Sequence, residues 1–274
     1  MRAILITTVA FLGITSFLGC DAQPPLFNVK IFLGLYGDLA VEINEEDTLG
    51  IIKAVKENNL DVNYQDPKYG ISLLHWSIAN RKYYSCETLL KLGANPNLTD
   101  TIKEYVPPIT LAAGIAETST FLRLLLKYGG NPNFVTKKNG EVQYTEATPL
   151  NAAASSRLES VKLLVDHEAD INLMPYPESL PLTTALITQN ISISKYLVIE
   201  KKADINKVFT TTIDNDTSRI ADLLRLNLFD LNSEEYKIKM ELVQYLKSIE
   251  VDYRLAPIPK YILKNNSKDY LDKY

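Results

Sequence analysis

Hydrophobic and polar positions along this chain fall into a recurring order. Paired aliphatic residues close a helical block at Leu89-Leu90, Leu125-Leu126 and Leu164-Val165. A short polar phrase then follows at Leu60-Asp61-Val62-Asn63, Ala94-Asn95-Pro96-Asn97, Gly130-Asn131-Pro132-Asn133, Ala169-Asp170-Ile171-Asn172 and Ala203-Asp204-Ile205-Asn206. Each reads small or apolar, then Asp or Asn, any residue, then Asn. The closing asparagines are spaced by 34, 36, 39 and 34 residues, and Val251-Asp252-Tyr253-Arg254 reads as a degenerate sixth copy. A period in the thirties predicts stacked supersecondary units, each too small to bury its apolar face alone.

After each phrase the pattern opens a shorter helix. Thr148-Pro149-Leu150-Asn151 is the clearest case: Thr148 caps, and Pro149 takes the first helical position, where its missing N–H costs nothing. Ser72-Leu73-Leu74-His75 and Pro107-Pro108-Ile109-Thr110 are looser versions. Gly93 and Gly129 stand where a longer helix ends in the left-handed region; Glu168 and Lys202 replace them in later copies. Period and punctuation together are similar to the ankyrin repeat. The expected fold is all-α: an ankyrin-repeat solenoid of helix-turn-helix units, about five repeats with terminal caps, over 46–257. Glu46–Asn63 is expected to supply only the second half of a capping repeat, and 258–274 a C-terminal tail.

Three connections exceed the ordinary repeat length: 134–147, 173–179 and 208–217. In the first, Asn139-Gly140 lies between alternating residues and predicts an extended β-hairpin finger. In the second, Met174 and Tyr176 stand among prolines.

The start of the chain reads differently. Arg2 precedes an uncharged apolar stretch that ends at Gly19-Cys20-Asp21, the layout of a secretory leader. Phe17-Leu18-Gly19-Cys20 resembles the bacterial lipobox, although Phe17 stands where leucine is usual. The resemblance implies a signal peptide over 1–19, acylation of Cys20 and a tethered segment over 20–45. Acyl chains contribute about 0.8 kcal/mol per buried methylene, so several chains hold a protein on a membrane. The expected location is the periplasm, lipid-anchored. Asp21 resembles an inner-membrane retention signal, with the outer membrane as the alternative.

Composition narrows the chemistry. With Cys20 acylated, Cys86 has no disulfide partner, so stability rests on apolar burial, for which 46% hydrophobic residues suffice. Loss of the leader takes Arg2 with it and moves the formal charge from −4 to −5; an acidic chain without a basic patch argues against nucleic acid. Neither His75, in a helix-opening slot, nor His167, at a helix end, has ligands at metal spacing. Cys86 takes a core position, and Ser192-Ile193-Ser194-Lys195 matches S-x-x-K without its companion motifs. No nucleophile elbow or phosphate loop is present. The expectation is a binding protein, not an enzyme, with no cofactor and no metal, monomeric when free.

Binding residues are expected on the first helices and fingers. These are Trp76 and Asn80, then Lys137, Lys138, Asn139, Glu141 and Tyr144 of the hairpin, and Met174 and Tyr176. Leu111, Ala152, Ser155, Thr184 and Ile187 extend the first-helix face. Trp76 is equally readable as a residue packed between repeats.

Several segments are more specific than the repeat consensus: G-I-S-L-L-H-W-S-I-A (70–79), I-T-L-A-A-G (109–114), L-K-Y-G-G-N-P-N (126–133), I-A-D-L-L (220–224) and N-S-E-E-Y-K (232–237). They resemble bacterial ankyrin-repeat lipoproteins encoded beside type VI secretion phospholipase effectors. The resemblance implies an immunity protein that blocks a cognate secreted phospholipase of the α/β-hydrolase type. The competing reading is an envelope scaffold or chaperone that recruits a native enzyme.

Overall fold

A computed structural model describes residues 31–99, 106–138, 141–142, 148–211 and 217–274. The leader, Cys20 and Asp21 lie outside them. The chain divides into two compact units. One takes the described residues up to Ala112 together with those in Thr118–Ala147; the other takes Ala113–Glu117 and those in Thr148–Tyr274.

In the first unit, helix pairs follow one another: α1 (Leu35–Glu45) with α2 (Thr48–Glu57), then α3 (Leu73–Ala79) with α4 (Tyr83–Lys91). Helix α5 (Pro108–Ala113) and α6 (Thr120–Lys127) continue the order, with α6 against α4. The first helix thus starts at Leu35, inside the segment expected to be tether. It supplies the half-repeat that the pattern had left out, burying Leu39, Ala40 and Ile43. Ile31 and Phe32 are buried in front of it. A two-residue strand pair, β1 (Lys137–Lys138) and β2 (Glu141–Val142), aligns Lys138 with Glu141 across the Asn139-Gly140 positions, the register of a tight hairpin.

The second unit pairs α7 (Pro149–Ala154) with α8 (Leu158–Asp166) and α9 (Pro181–Ile187) with α10 (Ile191–Lys195). Helix α10 runs on through a π turn at Tyr196–Glu200. Helices α11 (Ile220–Leu226) and α12 (Glu234–Ser248) follow. Between them and α10, β3 (Thr210–Thr211) pairs with β4 (Thr217–Ser218), so the third long connection also carries a hairpin. Residues expected to be a tail form α13 (Lys260–Asn265) and α14 (Lys268–Lys273), which close on the last repeat. Thr148 caps α7 by accepting from the Asn151 N–H at 3.1 Å, and Pro149 sits in its first turn.

The recurring phrase has one local geometry. Its first Asp or Asn accepts the backbone N–H two residues on, at 2.8 Å for Asp61, 2.9 Å for Asn95 and Asn131, 2.8 Å for Asp170 and 3.0 Å for Asp204. This is the Asx turn, in which a short side chain stands in for a turn of backbone. Asp252 makes it too, at 2.9 Å, as the degenerate copy requires. Asp230 makes it with Asn232 at 2.8 Å, a copy the periodicity had not shown.

The last residue of the phrase ties one repeat to the next. Asn63 accepts from Asn95 N–H at 2.7 Å and donates to the Gly93 carbonyl at 3.3 Å. Asn97 accepts from Asn131 N–H at 2.8 Å and donates to the Gly129 carbonyl at 3.0 Å. In the second unit, Asn172 accepts from Asp204 N–H at 2.9 Å.

Helix ends repeat as well. Gly93 (φ 99°) and Gly129 (φ 88°) are left-handed, and the residue after each donates back five positions, Ala94 to Leu89 and Gly130 to Leu125. Glu168 (φ 66°) and Lys202 (φ 58°) keep the left-handed turn despite carrying a Cβ. Substituting Glu168→Gly or Lys202→Gly should therefore raise stability by roughly 0.5–1 kcal/mol each, whereas Gly93→Ala should lower it by about 1 kcal/mol. Urea unfolding checks both; a loss of stability at Glu168→Gly and Lys202→Gly would show that the left-handed turn is not costly there.

Candidate functional site

The residue after each helix-opening slot is turned inward more often than the expected face allows. Trp76, Leu111 and Ala152 follow the slot residues His75, Thr110 and Asn151, and all three are buried. Trp76 is 0% exposed, with Phe32 edge-on to its ring at 6.3 Å, so it packs in the first unit's core and is not offered to a partner. Its indole N–H finds no acceptor, the one unfavourable feature of an otherwise packed side chain. The physical reason is coverage: α1, within the N-terminal segment ahead of the expected repeats, brings an apolar face over α3. Asn80 ends α3, half-buried, with its amide donating to the Trp76 carbonyl at 2.9 Å.

The slot itself serves cohesion. His75, Thr110, Asn151 and Thr183 are all buried. At Asn151 the amide donates to the Ser179 carbonyl at 2.5 Å, fixing the end of the next connection. His167 turns its Nδ1 to the Leu163 carbonyl at 2.8 Å and so closes the end of α8.

That pinned connection carries half-buried Met174 and Tyr176 in the second unit. Leu173–Ser179 is stapled at both ends. Leu173 N–H reaches the Asp170 carbonyl, and Ser179 Oγ donates to the Tyr176 carbonyl at 2.6 Å while accepting the Tyr176 N–H at 3.2 Å. Thr210 Oγ1 of β3 donates to Glu178 Oε2 at 3.1 Å. Met174 and Tyr176 are half-buried on this loop. The loop feeds α9 through the buried Leu180 and Pro181, and α9 presents half-buried Thr184 and Ile187, which is 38% exposed. A short loop braced from both sides loses little conformational entropy when a partner settles on it, which favours binding.

The first unit's hairpin places Lys137, Lys138 and Glu141 on paired strands; Asn139 and Tyr144 lie outside the described residues. A groove of about 370 Å³ runs between α2 and α4, walled by Thr48, Ile52, Lys56, Tyr84 and Lys91. Glu87 in that wall is paired with Lys91 at 3.2 Å, so its charge is engaged on the same helix.

The reactive residue types are engaged in structure. Cys86 is fully buried in α4, and burial pushes its thiol up to about 12, out of the range of a nucleophile. Lys195 holds Glu241, and this contact raises the lysine, keeping it a cation and a poor base. Among the described residues no three His, Cys, Asp or Glu are arranged to hold a metal ion, and no helix is long and apolar enough to cross a membrane.

Comparison with known proteins points the same way as the geometry. Residues 109–208 match the family model for ankyrin repeats, in three copies. The chain is 32% identical over 157 residues to the ankyrin repeat protein FPV014 of Fowlpox virus (strain NVSL), covering 57% of this chain and 33% of that protein. It is 29% identical over 144 residues to an ankyrin repeat protein of Rickettsia bellii (strain RML369-C), half of this chain and 38% of the relative. To the nuclear factor NF-kappa-B p105 subunit of Gallus gallus it is 25% identical over 223 residues, 77% of this chain and 22% of that subunit. The chain thus spans about a third or less of the first relatives it matches. Helix pairs, phrase and matches together make this fold an all-α ankyrin-repeat solenoid, an architecture of protein–protein interaction.

Proposed function

We propose that this chain is a periplasmic, membrane-tethered immunity protein that binds and neutralises a type VI secretion phospholipase of the α/β-hydrolase class. Two kinds of observation support the reading. The leader ending at Gly19-Cys20-Asp21 and the segments at 70–79, 109–114, 126–133, 220–224 and 232–237 carry the family resemblance. The braced loop with Met174 and Tyr176, beside Thr184 and Ile187 of α9, is the observation in the fold that carries binding. Such a surface can cover the mouth of a hydrolase without reacting. A lipid tether would confine inhibitor and membrane-attacking enzyme to one thin layer, which raises effective concentration.

The second reading is an envelope scaffold or chaperone that recruits a native enzyme; the ankyrin repeats matched over 109–208 support protein binding under either reading.

The chain beginning after Cys20 should form an isolable complex with the phospholipase encoded beside it and abolish its hydrolysis of phospholipid. Met174→Ala with Tyr176→Ala should weaken that complex by about tenfold or more, since half-buried side chains on rigid loops make effective anchors. No complex, or a complex that leaves hydrolysis intact, would refute immunity and leave the scaffold. The tether is tested separately. Cys20→Ala should move the full chain from the membrane fraction to the soluble one, and an unchanged distribution would refute lipid anchoring at Cys20.

A further inference from the structure

Near its end the second unit carries a surface whose charge runs against that of the whole chain. The sequence has a formal charge of −4, yet 253–268 holds Arg254, Lys260, Lys264 and Lys268 and no acid. All four cations are exposed, and none of them makes an ion pair among the described residues. Large apolar side chains stand beside them: Leu255 is 83% exposed, Leu263 49% and Tyr261 40%. A single exposed aliphatic residue is ordinary, but three in one short stretch, interleaved with unpaired cations, mark a surface that meets something.

Packing holds this surface in place. Ile262 of α13 is fully buried and seats the helix on the unit. At about 100° per residue, Tyr261 and Leu263 flank that anchor on either side, and Lys260 and Lys264 fall on the face opposite it. The Pro259 carbonyl accepts the Ile262 N–H at 2.9 Å and the Leu263 N–H at 3.2 Å, and the Asn266 amide donates to the Ile262 carbonyl at 2.9 Å. Helix α14 is fastened by the Tyr270 hydroxyl, which donates to the Phe229 carbonyl at 3.0 Å, and by Tyr236 of α12, which donates to the Lys273 carbonyl at 2.6 Å. Leu255 closes a 3₁₀ turn whose first residue, Tyr253, is buried. Six residues of chain span at most about 20 Å, so one flat surface can meet both Leu255 and Tyr261.

The residue types favour a lipid surface over a protein one. Protein interfaces enrich arginine and deplete lysine, whereas three of these four cations are lysines. A lysine lays its methylenes along an apolar layer and keeps its ammonium in water, and tyrosine suits a boundary that is apolar on one side and wet on the other. Basic segments with exposed apolar neighbours are drawn to anionic headgroups and bury those neighbours just beneath them.

We propose that the surface formed by Arg254, Leu255 and α13 binds an anionic phospholipid bilayer. Lys260 and Lys264 meet headgroup phosphates, and Leu255, Tyr261 and Leu263 enter the boundary between headgroups and acyl chains. This contact needs neither acylation of Cys20 nor a phospholipase partner, so it stands or falls apart from the proposed function.

Vesicle co-sedimentation tests it with the chain beginning after Cys20, which keeps every described residue and carries no acyl chain. The vesicles are phosphatidylcholine alone, or phosphatidylcholine and phosphatidylglycerol in equal parts. Binding should favour the anionic vesicles by at least about tenfold, since each cation near such a surface tightens binding by about fivefold. On the same grounds Lys260→Ala with Lys264→Ala should weaken binding by about 25-fold. Tyr261→Ser with Leu263→Ser keeps the charge and should still weaken binding by about tenfold, through lost apolar burial. All four side chains are exposed, so both double variants should keep the parent's thermal unfolding midpoint. A preference for anionic vesicles below about tenfold, or either double variant binding as tightly as the parent, would overturn the proposal. Absence of binding to both vesicles would overturn it too, and would leave this surface to an acidic protein.

Discussion

One side-chain bridge sets the terms for the rest of this structure. Asn63, Asn97 and Asn172, each ending a phrase, reach the next one by taking a backbone N–H with the side-chain oxygen, and Asn63 and Asn97 also give their amide to a carbonyl. Helix pairs bury their apolar faces against neighbouring pairs, but apolar contact is non-directional and tolerates sliding. The bridge is directional. It fixes the register of one finger on the next, and the Asx turn just before it holds the asparagine at the right place to do so. Connections emerging from fingers set in this way can differ in length while the helices beneath them keep their packing. Leu173–Ser179 and the Thr210–Ser218 hairpin are such connections in the second unit, and the Lys137–Val142 hairpin is one in the first.

Much of this was legible in the sequence because its chemistry is local. Asp-x-Asn specifies a turn through an atom two residues away, and Thr148-Pro149 starts a helix within four residues. The strands flanking Asn139-Gly140 pair in the antiparallel register that this dipeptide predicts. Gly93 and Gly129 mark helix ends, and the same turn survives with Glu168 and Lys202 in their place. One local copy escapes the period: Asp230-Leu231-Asn232 makes the same turn, yet it follows the previous copy by only 26 residues. Its signal was present in the residues; only the spacing hid it.

Two other features depended on partners far along the chain. Trp76 carries the residue type of a binding anchor, but Phe32 and the helix at Leu35–Glu45 place it inside. The segment 258–274, polar and lysine-rich, reads as a tail until Tyr274 meets Arg225 and Lys239, 49 and 35 positions earlier. The candidate site shows the same division. Met174 and Tyr176 were identifiable from their setting among prolines, whereas the bracing by Asn151 and Thr210 that makes the loop rigid came only with the fold.

The asparagine bridge, more than apolar stacking alone, sets the register of the fingers. Urea unfolding of Asn97→Ala against the unaltered chain tests it most directly. Removing the side chain leaves the Asn131 N–H and the Gly129 carbonyl without that partner, and stability should fall by roughly 1–3 kcal/mol for the two bonds together. A change within about 0.5 kcal/mol, the range of an uninvolved surface position, would contradict it.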